Sequence, residues 1–110
     1  VAGPFTLVPS AARTASGNSG PLGLAGTAVL DLEVAVTAVS GTTPSMTLSV
    51  TWSDDGTNFG APDGGGDTFT ALTAAGTVVK QLQAKGLYAQ IAWAITGTNP
   101  SFTFAVLAAT

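Results

Sequence analysis

A chain of 110 residues is long enough for one hydrophobic core and too short for two of ordinary size. Hydrophobic types make up 45% of it and charged residues 8%, against about 25% charged in an ordinary soluble protein, so the polar surface is built from backbone and hydroxyls. A net charge of −3, with only Arg13, Lys80 and Lys85 positive, disfavours direct nucleic-acid binding, and the lack of cysteine and histidine removes disulfides, thiolate and imidazole chemistry and the metal sites built from them. So weakly charged a surface is poorly protected against association and suits a protein fixed to a partner.

Residues 1–6 have no basic region followed by a sustained apolar run and do not read as a signal peptide. No window approaches the roughly 20 apolar residues of a membrane-spanning helix, so no membrane partner is expected. Residues 5–15, with Phe5, Leu7, Val8 and Arg13, read as an edge strand or as an extended arm that orders on a neighbour. The Gly- and Ser-rich stretch 16–21 reads as a turn or flexible link. This divides the chain into an N-terminal segment, 1–24, and a β-domain, 25–110.

Four runs alternate apolar and polar residues with the period of two that a half-buried strand requires. Leu30, Leu32, Val34 and Val36 mark the first, and Met46, Leu48, Val50 and Trp52 the second. Leu87, Ala89, Ile91, Trp93 and Ile95 mark the third, and Phe102, Phe104, Val106 and Ala108 the fourth, with Leu107 on its opposite face. Both tryptophans fall on apolar faces and are expected in the core, whereas Tyr88 falls on the other face and is the one visible candidate for the exposed aromatic platform that the alternative of a carbohydrate-binding module needs. Weaker strand candidates are 67–73 and 77–83.

An internal echo links the runs. Val39-Ser40-Gly41-Thr42-Thr43-Pro44-Ser45-Met46-Thr47-Leu48-Ser49-Val50 returns as Ile95-Thr96-Gly97-Thr98-Asn99-Pro100-Ser101-Phe102-Thr103-Phe104-Ala105-Val106. Each copy reads as a β-hairpin with a Gly-Thr-x-Pro loop, because glycine allows an unusual φ and proline sits where no ladder hydrogen bond is lost. Two hairpins with apolar faces predict an all-β fold, an antiparallel β-sandwich of seven or eight strands. An unrelated barrel that uses the same turn chemistry is the alternative.

Carboxylates are the remaining source of chemistry. Asp31 and Glu33 lie roughly 6.6 Å apart along one strand face, within the range of a glycoside-cleaving pair, yet no cleft-lining aromatic accompanies them on that face, and a solvated or partner-facing patch is expected. Asp54, Asp55, Asp63 and Asp67 do not follow the spacing of an EF-hand. Asp54-Asp55-Gly56-Thr57 reads instead as a tight turn, with aspartate accepting from backbone N–H groups and Gly56 left-handed. No catalytic residue, metal or cofactor is expected.

Ser10-Ala11-Ala12-Arg13-Thr14-Ala15-Ser16-Gly17-Asn18-Ser19, the Gly41-Thr42-Thr43-Pro44 copy, Thr51-Trp52-Ser53-Asp54-Asp55-Gly56-Thr57-Asn58-Phe59 and Gly97-Thr98-Asn99-Pro100-Ser101-Phe102-Thr103-Phe104 together resemble small virion proteins of tailed bacteriophages. Members of that group are commonly head decoration or cement proteins, and others belong to the neck or tail. The resemblance implies a β-sandwich or jelly-roll-like module on the outer capsid surface, bound to the major capsid protein, with a homotrimer at local three-fold positions as one arrangement. The contacts it suggests are Phe5, Leu7, Val8 and Arg13 in the N-terminal segment and Thr42, Thr43, Thr98 and Asn99 in the two repeats. Asp54, Asp55, Asp63 and Asp67 in the acidic loop, with Leu107 on the last strand, complete the set.

Overall fold

A computed structural model describes residues 4–110; residues 1–3, the start of the N-terminal segment and of the stretch that does not read as a signal peptide, lie outside the described residues. The fold is all-β, with six strands: β1 (Phe5–Arg13), β2 (Gly17–Asn18), β3 (Leu22–Gly23), β4 (Val29–Ser53), β5 (Gly76–Gln83) and β6 (Tyr88–Ala109). All pair antiparallel in one sheet of order β1-β6-β4-β5, and β2 and β3 also pair with β6.

The predicted alternation holds across the two long strands. Leu30, Leu32, Val34, Val36, Met46, Leu48, Val50 and Trp52 of β4 are buried, as are Ala89, Ile91, Trp93, Phe102, Phe104, Val106 and Ala108 of β6. They form one core with Val8, Leu24, Phe69 and Leu82. Each fully buried large side chain contributes roughly 1.5–3 kcal/mol through water exclusion. Leu87 departs from the pattern: it precedes the first paired residue of β6 and is half exposed.

The two repeats are not hairpins, which corrects the sequence reading. β4 runs unbroken through Gly41-Thr42-Thr43-Pro44 and β6 through Gly97-Thr98-Asn99-Pro100, and the two copies pair with each other, Ser40 with Ser101, Thr42 with Thr98 and Ser45 with Thr96. The register shifts on either side of Thr42, so the crossing is a pair of bulges. The contacts are reciprocal. A Cβ on Gly41 (φ 111°) would lie 2.6 Å from the Asn99 carbonyl oxygen and 2.9 Å from Pro100 Cα, and one on Gly97 (φ 125°) would lie 2.9 Å from the Thr43 carbonyl oxygen and 3.0 Å from Pro44 Cα. Thr43 and Asn99 both have a φ of 48°. The motif repeats because two equivalent bulges cross about an approximate two-fold axis, each needing a residue without a side chain where the other passes.

Beyond the crossing, both strands double back. Trp93 and Phe104 would stand about 36 Å apart on a straight strand rising 3.3 Å per residue, yet their rings meet edge to face with centroids 5.3 Å apart. The first half of β4 pairs with the second half of β6, and the second half of β4 with the first half of β6.

Residues 5–13 take the edge-strand alternative and not that of a free arm. β1 pairs with β6 from Phe5 opposite Ala108 to Arg13 opposite Phe102. The stretch read as a flexible link is also tied down: Ser19 N–H donates to the Ile91 carbonyl (2.9 Å), and the hydroxyls of Ser19 and Ser16 accept from Ile91 and Ile95 N–H groups. Gly17 in it lies against a tryptophan; a Cβ there would stand 3.0 Å from Trp93 Cζ2. Residues 67–73 form no strand, only isolated bridges from Thr68 to Ser49 and from Leu72 to Met46.

Candidate functional site

The acidic loop between β4 and β5 does not gather its carboxylates. Asp55 accepts from the Asn58 and Thr57 backbone N–H groups (2.9 and 2.8 Å), the Ser53 hydroxyl (2.7 Å) and the Asn58 amide (2.8 Å). These donors, the Asn58 and Thr57 backbone groups foremost, hold its carboxyl well below the usual carboxylate range. Gly56 is left-handed at φ 75°, and Asp54 caps the Leu87 N–H (3.1 Å), so the tight-turn reading of 54–57 stands. Asp63 is exposed. Among the described residues no three His, Cys, Asp or Glu side chains group in a way that could hold a metal ion.

Asp67 is different. It is buried, its Oδ2 accepts from the Trp52 indole Nε1 (2.7 Å), and Lys85 Nζ bonds both carboxylate oxygens at 3.2 and 2.9 Å. Lys85 also lies 5.4 Å from the Trp52 ring centroid. A buried carboxylate is costly unless it is paired and hydrogen-bonded, and both conditions are met. Trp52, Pro62, Asp63, Gly65 and Lys85 border an open hollow of about 480 Å3.

The other predicted contacts scatter. Val8 turns into the core and offers no surface, while Phe5 and Leu7 pack against the core half-buried. Arg13 lies over Trp93 and Phe104, 5.1 and 5.4 Å from their centroids, and donates to the Pro9 carbonyl (2.8 Å). It pins the end of β1 onto the doubled-back strand. Thr42, Thr43, Thr98 and Asn99 are brought together as one exposed knuckle at the crossing.

The outward face of β4, β5 and β6 joins Asp31, Glu33 and Leu107, expected from sequence as partner-facing, to Val79, which sequence reasoning missed. Val79 is 76% exposed, directly opposite Glu33, and Gln81 is opposite Asp31. Leu107, half-buried, pairs with Glu33 from the other side. With Pro4, Ala109 and Lys80 these residues border a shallow groove of about 340 Å3. The signal was present in Val78-Val79: neighbours on a strand face opposite ways, so one of two adjacent valines had to point outward.

Compared with known proteins, the chain matches no family model, no curated protein and no solved structure.

Proposed function

We propose that the chain is a non-enzymatic attachment module that docks through the outward face of β4, β5 and β6, and that its setting is the outer capsid surface of a tailed bacteriophage, where it bridges major capsid subunits. The observation that carries the docking role is the exposed Val79 beside the Leu107 groove, flanked by Asp31 and Glu33. An apolar patch rimmed by charge is what a protein contact needs. The capsid setting is supported by the resemblance of the turn and strand motifs. In this reading the doubled-back sheet is a two-layered, jelly-roll-like sandwich, and a trimer is the assembly that suits a local three-fold position.

The test is to mix the protein with expanded, undecorated heads. Saturable attachment that weakens on Leu107→Lys, together with higher heat resistance of the heads, is the expected result. Attachment to tails alone would move the protein to the neck or tail, and no attachment to either would discard the virion reading. A second reading, carbohydrate binding, is favoured by the hollow bordered by Trp52, Asp63 and Lys85; binding on a glycan array that is lost on Lys85→Met would select it.

A further inference from the structure

The sheet has two outer edges, and they are unequally protected. β1 carries Pro9 and two register shifts, between Thr6 and Val8 and between Val8 and Ala11. Proline and bulges are the devices that blunt an edge against further pairing. β5 has neither. Its eight residues pair with β4 in unbroken register from Val29 opposite Gln83 to Val36 opposite Gly76, and among the described residues its ladder is to β4 alone. A strand paired on one side leaves alternate N–H and C=O groups pointing outward.

Beyond that edge lies a groove of about 370 Å3 between β5 and the chain at 68–72, lined by Phe69, Leu72, Val78 and Lys80. Phe69 is buried and Leu72 and Val78 half-buried, so the groove is apolar beneath. On the outward face the row next to β5 is acidic: Glu33 opposite Val79 and Asp31 opposite Gln81. The one ion pair among the described residues joins Lys85 to Asp67 instead.

We propose that the β5 edge accepts an extended partner segment whose residues alternate basic and apolar. The backbone of such a segment would continue the sheet. Its apolar side chains would face Phe69 and Leu72. Its basic side chains, opposite Val79 and Gln81, would stand two strand spacings, about 9.6 Å, from Glu33 and Asp31, within reach of an extended arginine and a carboxylate together. The stem of the arginine would lie along Val79, covering its exposed methyls. A second copy of this chain is the poorer occupant, since it carries the same −3 charge and its β5 offers one cation, on the groove side of the strand. The inference does not depend on the capsid assignment, because its test contains no capsid.

The probe is a capped nonapeptide alternating valine and arginine, titrated into the isotopically labelled full chain, with amide exchange read residue by residue. The expected result is added protection at alternate amides of residues 76–83, and an affinity lowered roughly tenfold by combined Asp31→Asn and Glu33→Gln, the upper range for two exposed ion pairs. A peptide of the same composition with its valines and arginines in separate blocks should bind several-fold more weakly. Equal binding of the block peptide, or protection confined to other strands, would overturn the proposal. So would protection of β5 that rises with protein concentration in the absence of peptide, which would assign the edge to a second copy.

Discussion

Alanine at Gly41 separates the crossing of β4 and β6 from a pair of independent turns. At φ 111° an L side chain is strained, a cost of about 1–3 kcal/mol. Its Cβ would also stand 2.6 Å from the Asn99 carbonyl oxygen, a contact that only movement of backbone can relieve, and overpacking of this kind costs about 1–3 kcal/mol more. A total of about 2–6 kcal/mol is expected for Gly41→Ala, and a similar value for Gly97→Ala. Gly64 is the control: its φ of 86° is also positive, but nothing lies within 4 Å of the added Cβ, so Gly64→Ala carries the conformational cost alone, about 1–3 kcal/mol. Because Gly41 and Gly97 press on the same crossing from opposite sides, the first substitution already forces the strands apart. The double variant should therefore fall short of the sum by at least about 0.5 kcal/mol. Urea unfolding followed by the fluorescence of Trp52 and Trp93, one on each long strand, measures all four variants. Equal costs at Gly41 and Gly64, or strict additivity at Gly41 and Gly97, would refute the crossing.

Trp93→Ala removes a buried ring that packs on Phe104 and Gly17, and should cost about 3–5 kcal/mol in equilibrium unfolding; Arg13→Ala, which loses a stack on the same ring, should cost about 0.5–2 kcal/mol. Asp67→Ala strips the Trp52 indole of its acceptor and should destabilise by about 1–3 kcal/mol, while Asp67→Asn, which keeps an acceptor oxygen, should cost less; chemical denaturation of the pair decides. The Asp55 carboxyl is held below its unfolded value, near 3.9, so its contribution is present above about pH 4 and is lost as the pH falls toward the folded value. Asp55→Asn should therefore flatten the acid limb of a stability profile below pH 4, seen as a smaller drop in Tm between pH 4 and pH 2 than in the unsubstituted chain.

The core was legible wherever burial acts on a period of two. Leu30 to Val36 and Phe102 to Ala108 show it plainly, because a strand with one face in the core has no other way to arrange its side chains. The repeats were misread because a hairpin loop and a crossing bulge ask for the same residues: glycine for a positive φ, and proline where no ladder donor is needed. What separates them is pairing between Thr42 and Thr98, a contact that no local pattern encodes. Residues 16–21 misled for a related reason. Gly17 there lies against the Trp93 indole, and Ser16 and Ser19 accept hydrogen bonds from β6, so small polar residues do not mean a loose chain. The partners of Asp67 were hidden as well, since Trp52 and Lys85 lie on either side of it in sequence at distances that match no motif. Val79 was readable from its neighbour Val78 and was passed over because the strand around it is weakly patterned.

The position of β6 sets the order in which the sheet can be assembled. Strands β1, β2, β3 and β4 all hydrogen-bond to β6, and among the described residues β4 and β5 are the one pair that can zip without it. During synthesis, β1 to β4 therefore emerge before their principal partner exists, and β4 waits with a long apolar face exposed. The nearest β4–β6 pair, Ser53 with Tyr88, already closes a loop of the whole intervening chain, and the farthest, Asp31 with Ala109, closes a far longer one. Pairing of such remote segments folds slowly, and a slow folder with an open strand is prone to capture by its neighbours on the ribosome. Overexpression at low temperature, or with a chaperone that holds unfolded chains, should accordingly raise the soluble yield more than any substitution that strengthens the finished sheet.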